Sequence, residues 1–367
     1  MRVAQLLPEL NEGGVERGVV ELNRELVARG IESIVVSAGG KLAELIVSDG
    51  GQHHELDVAS KNPLTAPMRI RQLRSLLQRL APDILHARSR VPAWLTWLAN
   101  RSLKLPLVTT VHGFNSVNAY SRIMTRGDRV ICVSGAIRDF VIQNYGVDPS
   151  RLRVIPRGVD LQKFSPENLN HAWQEEFTTR YGLSGRIVIA TVGRITQLKD
   201  LETFIRAIGI LRERQPEVLG LIVGGVRADK LDYFKSLNEL VADLDLREHV
   251  RFTGSQSEVA EIYALSKVVV SSSKKPESFG RSAAEALAVG VPVVATGHGG
   301  ILDIVIEAET GYLFQPGDAE GLAGNISAAL HRPWPGLREF VSERFTLQQM
   351  VEQTLAVYRD IGSDPAG

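Results

Sequence analysis

Cysteine is almost absent. The 367-residue chain has one, Cys132, so no disulfide can form within it. It lies in the apolar run RVICVS, which predicts a small buried strand residue rather than a reactive thiol. Long hydrophobic runs are missing too: no stretch approaches the ~18 apolar residues of a spanning helix. The N-terminal MRVAQLLPEL is broken by Pro8 too early for a secretory signal, and a cytoplasmic location is expected. Net charge is zero, with 42 Lys and Arg against 42 Asp and Glu, and nucleic acid is not an expected partner. The neutrality is uneven. Residues 1–170 hold 22 Lys and Arg against 16 Asp and Glu, and residues 171–367 hold 20 against 26. The basic front half is either an ordinary solvated surface or one drawn to an anionic membrane or a phosphorylated acceptor.

What is present is the composition of a globular protein, 44% hydrophobic and 23% charged. Single cores stop growing at roughly 250–300 residues, so two domains are expected. Strand-like runs (RVAQLLP, ESIVVSA, DILHARS, LPLVTTVHG, RVICVS) alternate with helical periods such as VERGVVELNRELVARG and MRIRQLRSLLQRL. The pattern pauses between about Pro156 and Gly185, then resumes with RIVIATVGR, LETFIRAIGILRER, LGLIVGG, VRFTGS, KVVVSSS, AAEALAVG and VPVVATG. Such alternation predicts an α/β chain with two parallel, Rossmann-like sheets, placed over 1–165 and 180–344. The last helix, within 345–362, either caps the second domain or returns to brace the first.

Open parallel sheets bind ligands beyond the carboxyl ends of their strands. That singles out the loops after VAQLLP, VTTVHG, ATVGR and VSSS. In LNEGGVERG, Gly13 and Gly14 let backbone approach a ligand at a helix start, where N–H groups and the helix dipole favour phosphate; paired glycines also occur in plain turns. ATVGRITQLKD sets Arg194 just past a strand and Lys199 five residues on. These are either solvated cations or a diphosphate clamp that works without a metal. In KKPESFGRSAAEALAVGVPVVATGHGG, Glu277 stands at a strand tip and Glu285 lies inside a small apolar helix, where an unpaired carboxylate is costly. One carboxylate can bind a sugar hydroxyl and the other a ribose diol, while the N–H groups of Phe279 and Gly280 can meet phosphate oxygens.

This last segment resembles the signature of glycosyltransferase family 4: two glutamates separated by seven residues, a G-x-P-V-V-A-T stretch and a paired glycine. GGVERGVVELNRELVARG, TVHG, CVSGAI, VIPRGVDLQKFSP, VGRITQLKD, VRFTGS and ETGYLFQPGDAEGLA extend the likeness along nearly the whole chain, in order. The resemblance implies a GT-B fold, two Rossmann-like domains facing each other across a cleft, and metal-independent transfer with retention of anomeric configuration. It places Arg194 and Lys199 on the donor diphosphate, Glu277 on the transferred sugar and Glu285 on the ribose. Ser278, Phe279, Gly280, Gly193 and Gly254 would line the donor, Gly13 and Gly14 would reach it from the other domain, and His112 would stand beside the reacting sugar. A donor phosphate oxygen takes the acceptor proton in this scheme, and no cofactor is needed. The expected donor is a UDP-sugar, with GDP-mannose second. The expected acceptor is a glycan or lipid-linked molecule of the cell envelope, such as lipopolysaccharide core, O-antigen or capsule.

Arg157 stands where the family commonly has asparagine, and Arg281 where it commonly has an apolar residue; each is either a ligand contact or a surface substitution. Asp243 and Asp245 form an Asp-x-Asp away from a strand end and read as surface charge. Arg69, Arg71, Arg74 and Arg79 put four cations and no acid on one helix, which packs on the sheet or lies on an anionic membrane. Two rival functions are a nucleotide-sugar epimerase and a catalytically silent sugar-nucleotide binder.

Overall fold

The computed structural model describes residues 1–11 and 13–362, which divide into two compact units: Met1–Gly158 with the chain from Leu347 onward, and Val159–Thr346. In the first unit, strands β1 (Arg2–Leu6), β2 (Glu32–Ser37), β3 (Gln52–Glu55), β4 (Ile84–Ala87), β5 (Leu107–Val111), β6 (Arg129–Cys132) and β7 (Leu152–Val154) form one sheet in the order β3-β2-β1-β4-β5-β6-β7. Every pairing is parallel. The central strands are apolar on both faces, as a sheet covered on both sides requires. Helix α1 (Gly14–Ala28) buries Val19, Leu22 and Leu26 at helical spacing. Helices α2 (Ala43–Ser48), α3 (Ala66–Leu80), α4 (Arg90–Asn100) and α5 (Gly135–Tyr145) complete the crossovers. Ser134 starts α5 by accepting from the N–H of Ile137, and Gly146 ends it in the left-handed conformation.

The second unit opens with α6 (His171–Tyr181), followed by β8 (Ile187–Val192), α7 (Leu201–Arg212), β9 (Val218–Val223), α8 (Leu231–Asp243), β10 (Val250–Gly254), α9 (Val259–Leu265) and β11 (Val268–Ser271). Helix α10 (Arg281–Ala288), β12 (Val293–Thr296), β13 (Gly311–Phe314), α11 (Ala319–Leu330) and α12 (Leu337–Arg344) close it. Its parallel sheet runs β10-β9-β8-β11-β12-β13. Strand order reverses between β1 and β4 in one sheet and between β8 and β11 in the other, the switch points where such sheets leave a crevice for ligand.

One boundary is corrected, and of the two alternatives for the final helix the structure shows the return to the first domain. The second unit begins at Val159, and the supposed pause holds α6. Its sequence HAWQEEFTTRY buries only Phe177, and a column of Trp173, Phe177 and Tyr181, with ring centroids 4.6 Å apart at each step, replaces the usual apolar stripe. The final helix, α13 (Leu347–Gly362), belongs to the first unit. There Val351, Leu355, Tyr358 and Ile361 pack with Val3, Leu22, Leu26, Ile84 and Val108. Cys132 is fully buried, and burial pushes its thiol up to about 12.

Candidate active site

At the β8/β11 switch point the structure brings Lys199 and Glu277 together. Lys199 Nζ lies 2.6 Å from Glu277 Oε1, which also accepts from Ser273 Oγ at 2.5 Å. Burial alone would raise the Glu277 carboxyl, but the Lys199 ammonium, the two hydrogen bonds and the nearby His298 hold it below its ordinary value. Arg194 is exposed on the same loop as Lys199. The strand ends here carry little bulk. A side chain on Gly193 would meet Lys199 Cε at 3.2 Å, and one on Gly224 would meet the Gly193 carbonyl at 1.9 Å. Gly254, at the end of β10, has φ +71° and accepts from the N–H of Gly224.

Asp200, a residue the sequence reading passed over, ties this loop down. It is buried with φ +49°, a left-handed conformation costing a non-glycine residue about 1–2 kcal/mol. Its Oδ2 accepts from Thr203 Oγ1 at 2.8 Å, and its Oδ1 lies 3.1 Å from Lys274 Nζ. The hydrogen bond to Asp200 raises the Lys274 ammonium. Ser272 Oγ donates to the Lys199 carbonyl at 2.8 Å, and the Lys274 N–H to the Leu198 carbonyl at 2.8 Å. With the Lys199–Glu277 pair, the Lys199 loop and the Glu277 loop are therefore clamped to each other at four points.

Glu285 sits in α10 with its side chain 10% exposed; Oε1 accepts from Arg281 Nε at 2.9 Å and Oε2 from the Tyr263 hydroxyl at 3.2 Å. Arg281 is thus no surface substitution: it pairs with the buried carboxylate one helical turn on. Phe279 buries its ring against Phe345 and offers a ligand only backbone. Its N–H and that of Gly280 take no partner among the described residues. Gly280 has φ +104°, and a side chain there would strike Ile301 Cδ1 at 2.4 Å. Gly300, whose N–H donates to the Glu277 carbonyl at 2.6 Å, leaves no room beside Ser278 O, 2.3 Å from where a side chain would begin.

In the first unit, His112, just past β5, lines a cavity of about 30 Å³ with Gly18, Arg88, Pro156, Arg157 and Met350, room for about one water. Burial, and then the neighbouring Arg157 and Arg88, push its imidazole well below the ordinary histidine value, so the ring is neutral. Arg157 donates from NH2 to His112 Nδ1 at 3.1 Å and from NH1 to the Gly14 carbonyl. Because a guanidinium cannot accept, the His112 proton resides on Nε2, which is buried with no partner. Arg157 is therefore a cavity wall, and Gly14 is its support. Gly13 caps α1 in extended backbone, φ 168°, so its place does not depend on left-handed freedom. Behind the cavity, His86 holds Tyr358 Oη at 2.6 Å from Nδ1 and Thr110 Oγ1 at 2.6 Å from Nε2.

Three features stand outside these sites. Asp243 ends α8 and Asp245 lies in the turn beyond it, its carbonyl accepting from Arg212. Among the described residues, no group of three or more His, Cys, Asp or Glu is gathered to hold a metal ion. Arg69 is buried and bound to the carbonyls of Ser60 and Asn62 at 2.8 Å each, while Leu73, Leu76 and Leu77 of α3 face the core. Of the four arginines on that helix, only Arg71 and Arg79 are exposed. No described helix is long and apolar enough to cross a membrane.

Two Rossmann-like parallel sheets, with polar groups gathered at the switch point of each, define the GT-B class. The family description "Glycosyl transferases group 1" matches residues 174–345, and "Glycosyltransferase Family 4" matches residues 12–163. The D-inositol 3-phosphate glycosyltransferase of Salinispora arenicola is 30% identical over 308 residues, 75% of this chain and 68% of that one. Mannosylfructose-phosphate synthase of Agrobacterium fabrum is 32% identical over 200 residues, 53% of this chain and 43% of that one. A glycosyltransferase structure from Rickettsia africae superposes with a TM-score of 0.92 at 29% identity, covering 99% of each chain. HepE of Anabaena, solved with UDP and glucose, shares the fold with a TM-score of 0.84 at 21% identity, over 97% of this chain and 99% of that one. The chain belongs to glycosyltransferase family 4 and is a glycosyltransferase.

Proposed function

We propose that this enzyme transfers a hexosyl or N-acetylhexosaminyl group from a nucleoside diphosphate sugar to a hydroxyl of a cell-envelope glycan or lipid-linked acceptor, with retention and without a metal. The observation that carries the donor side is the Lys199–Glu277 pair at the β8/β11 switch point, beside exposed Arg194. Lys199 and Arg194 neutralise charge as the bond from the anomeric carbon to the diphosphate oxygen breaks. Glu277, kept ionised, accepts hydrogen bonds from hydroxyls of the transferred sugar, and Glu285 retains lone pairs for a ribose diol. The acceptor oxygen bonds to the anomeric carbon on the face the diphosphate leaves, and its proton passes to a phosphate oxygen. Neutral His112, with its Nε2–H, is a hydrogen-bond donor on the acceptor side rather than a base. A UDP-sugar is the first choice of donor, as bound by HepE, and GDP-mannose the second.

The test is thermal stabilisation and hydrolysis with UDP-, GDP- and ADP-sugars, with and without EDTA, repeated for Glu277→Ala. Selective response to one nucleotide, unaffected by EDTA, is expected; E277A should keep nucleotide diphosphate binding and lose transfer. Wild-type turnover in E277A, or a strict metal requirement, would sink the assignment.

A further inference from the structure

The chain leaving β12 holds the Glu277 loop at both ends. At one end the Gly300 N–H donates to the Glu277 carbonyl at 2.6 Å. At the other, two side chains reach the Ser273 carbonyl: Thr296 Oγ1 at 3.1 Å and His298 Nε2 at 2.9 Å. The single Thr296 hydroxyl proton is shared with the Ser271 carbonyl at 3.5 Å, so His298 is the firmer hold. A carbonyl only accepts, so His298 Nε2 carries a proton, and this bond sets the plane of the ring. Ser273 is buried, and its hydroxyl is the one that donates to Glu277 Oε1 at 2.5 Å. Imidazole, serine and carboxylate thus form one line of contacts. Both side-chain bonds to Glu277, from Ser273 and from Lys199, end on Oε1, and Oε2 takes no partner among the described residues. The carboxylate is anchored by one oxygen and presents the other.

We propose that His298 is a positioning residue for transfer: by holding the Ser273 carbonyl it aims the Ser273 hydroxyl at Glu277 Oε1, and so turns Oε2 toward a hydroxyl of the transferred sugar. This rests on the reading that Glu277 binds that sugar. The two anchors on Oε1 differ in stiffness. An ammonium on a four-carbon stem is a mobile point charge and fixes the charge of Glu277 more than its orientation. A serine hydroxyl sits one bond from Cβ, so its direction follows the Ser273 backbone, and that backbone is what His298 grips. Hydrogen bonds from Gly300 to the Glu277 backbone and from Ser273 to its side chain then fix the carboxylate from both sides. Small misplacements at a reacting centre cost rate while leaving remote binding intact, so the nucleotide end of the donor is indifferent to His298.

The experiment compares the full chain with His298→Ala, His298→Gln, Ser273→Ala and the double variant H298A/S273A, with Glu277→Ala as the reference. Hydrolysis is followed with whichever of UDP-glucose, GDP-mannose and ADP-glucose the wild type cleaves fastest, and affinity for the matching nucleoside diphosphate is read by calorimetry. In H298A kcat should fall about tenfold or more, with nucleotide affinity within about twofold of the wild type. H298Q keeps an N–H donor and should recover most of the rate. S273A should lose rate as H298A does, and the double variant no more than S273A alone, since residues acting in series are not additive. Additive losses would put His298 on the substrate itself and overturn the relay. Nucleotide affinity that falls with kcat, and no recovery in H298Q, would make the histidine merely structural. Wild-type turnover in H298A, with turnover lost in E277A, would overturn this inference and leave the donor reading standing. Wild-type turnover in E277A would refute the donor reading itself, and the role of His298 with it.

Discussion

The two switch points treat charge in opposite ways. In the second unit, cations and carboxylates are matched inside the protein: Lys199 with Glu277, Lys274 with Asp200, and Arg281 with Glu285. In the first, the cavity gathers two guanidinium groups, an imidazole N–H and the Glu21 carboxylate, and the Arg88 guanidinium hydrogen-bonds only to an amide. A site whose charges are already paired is held in shape before its ligand arrives, and the ligand must share an existing partner. A buried guanidinium held only by an amide carries a standing desolvation penalty. Preorganisation is therefore built from ion pairs in one unit, and in the other from the wall of helix α1 and the His86 relay behind it.

Breaking the paired site should have the largest effect. Lys199→Met removes the ammonium that balances the leaving diphosphate and leaves Glu277 with only Ser273. Transfer should fall by about 10²–10³-fold, the range for losing one charge-stabilising donor, with nucleotide diphosphate affinity falling as well. Steady-state rates and calorimetry check both. Loss of rate with unchanged affinity would mean that Lys199 serves only to orient Glu277.

In the first unit the corresponding break lies behind the cavity. Tyr358→Phe deletes the hydroxyl 2.6 Å from His86 Nδ1 and strands a buried polar atom, which costs about 1–3 kcal/mol. Denaturant unfolding should show that loss in the transition of the first unit. No change would mean that the His86 ring simply turns to another partner.

Acid should separate the units without any mutation. His86 and His112 have folded values well below the ordinary one, because burial disfavours the charged ring. Below about pH 6.5 the unfolded chain takes up protons that the folded first unit refuses, so its stability is complete above that pH and falls as the pH drops towards the folded values. Glu277 is depressed in the folded state; its contribution is present above the ordinary glutamate value, about 4.3, and disappears only as the pH falls through its lower folded value. Hydrogen exchange at pH 7.5, 6.0 and 5.0 should show the first unit opening more readily while the second is unchanged. Parallel loss in both units would remove the histidines as the cause.

The sequence carried much of this and withheld particular parts for physical reasons. Doubly covered parallel strands read as apolar runs, so ESIVVS and VLGLIV announce themselves, and α7 shows its face at Leu201, Phe204, Ile205, Ile208 and Leu211. Helix α6 did not, since three aromatics four residues apart make only a narrow stripe on an otherwise polar helix in which Phe177 alone is buried. Periodicity gives α13 a buried face but not the sheet it faces. Lys199 and Glu277 were legible because each follows a strand in a recognisable motif; that they bond to each other is a matter of tertiary geometry. Asp200 reads as an ordinary helix-capping residue, although its side chain makes no cap hydrogen bond and instead bridges two loops. Arg88 looks like any cation past a strand, because burial is decided by residues distant in sequence such as Gly18 and Arg157.

The smallest expected effect sharpens the comparison most. Gly18→Ala places a methyl where the two guanidinium groups converge. Alanine in mid-helix is worth about 0.8–1.0 kcal/mol over glycine, and the nearest neighbours, at 3.2 and 3.6 Å, are the far ends of arginine side chains, which yield by a few tenths of an ångström. The free protein should therefore keep its stability or gain up to about 1 kcal/mol. Thermal unfolding would show that. The analogous change in the second unit, Gly193→Ala, presses on the Lys199 stem at 3.2 Å and at φ +156° and should lower transfer without any gain in stability. If Gly18→Ala destabilised the protein, the glycine would be there for the close approach of the two guanidinium groups to α1.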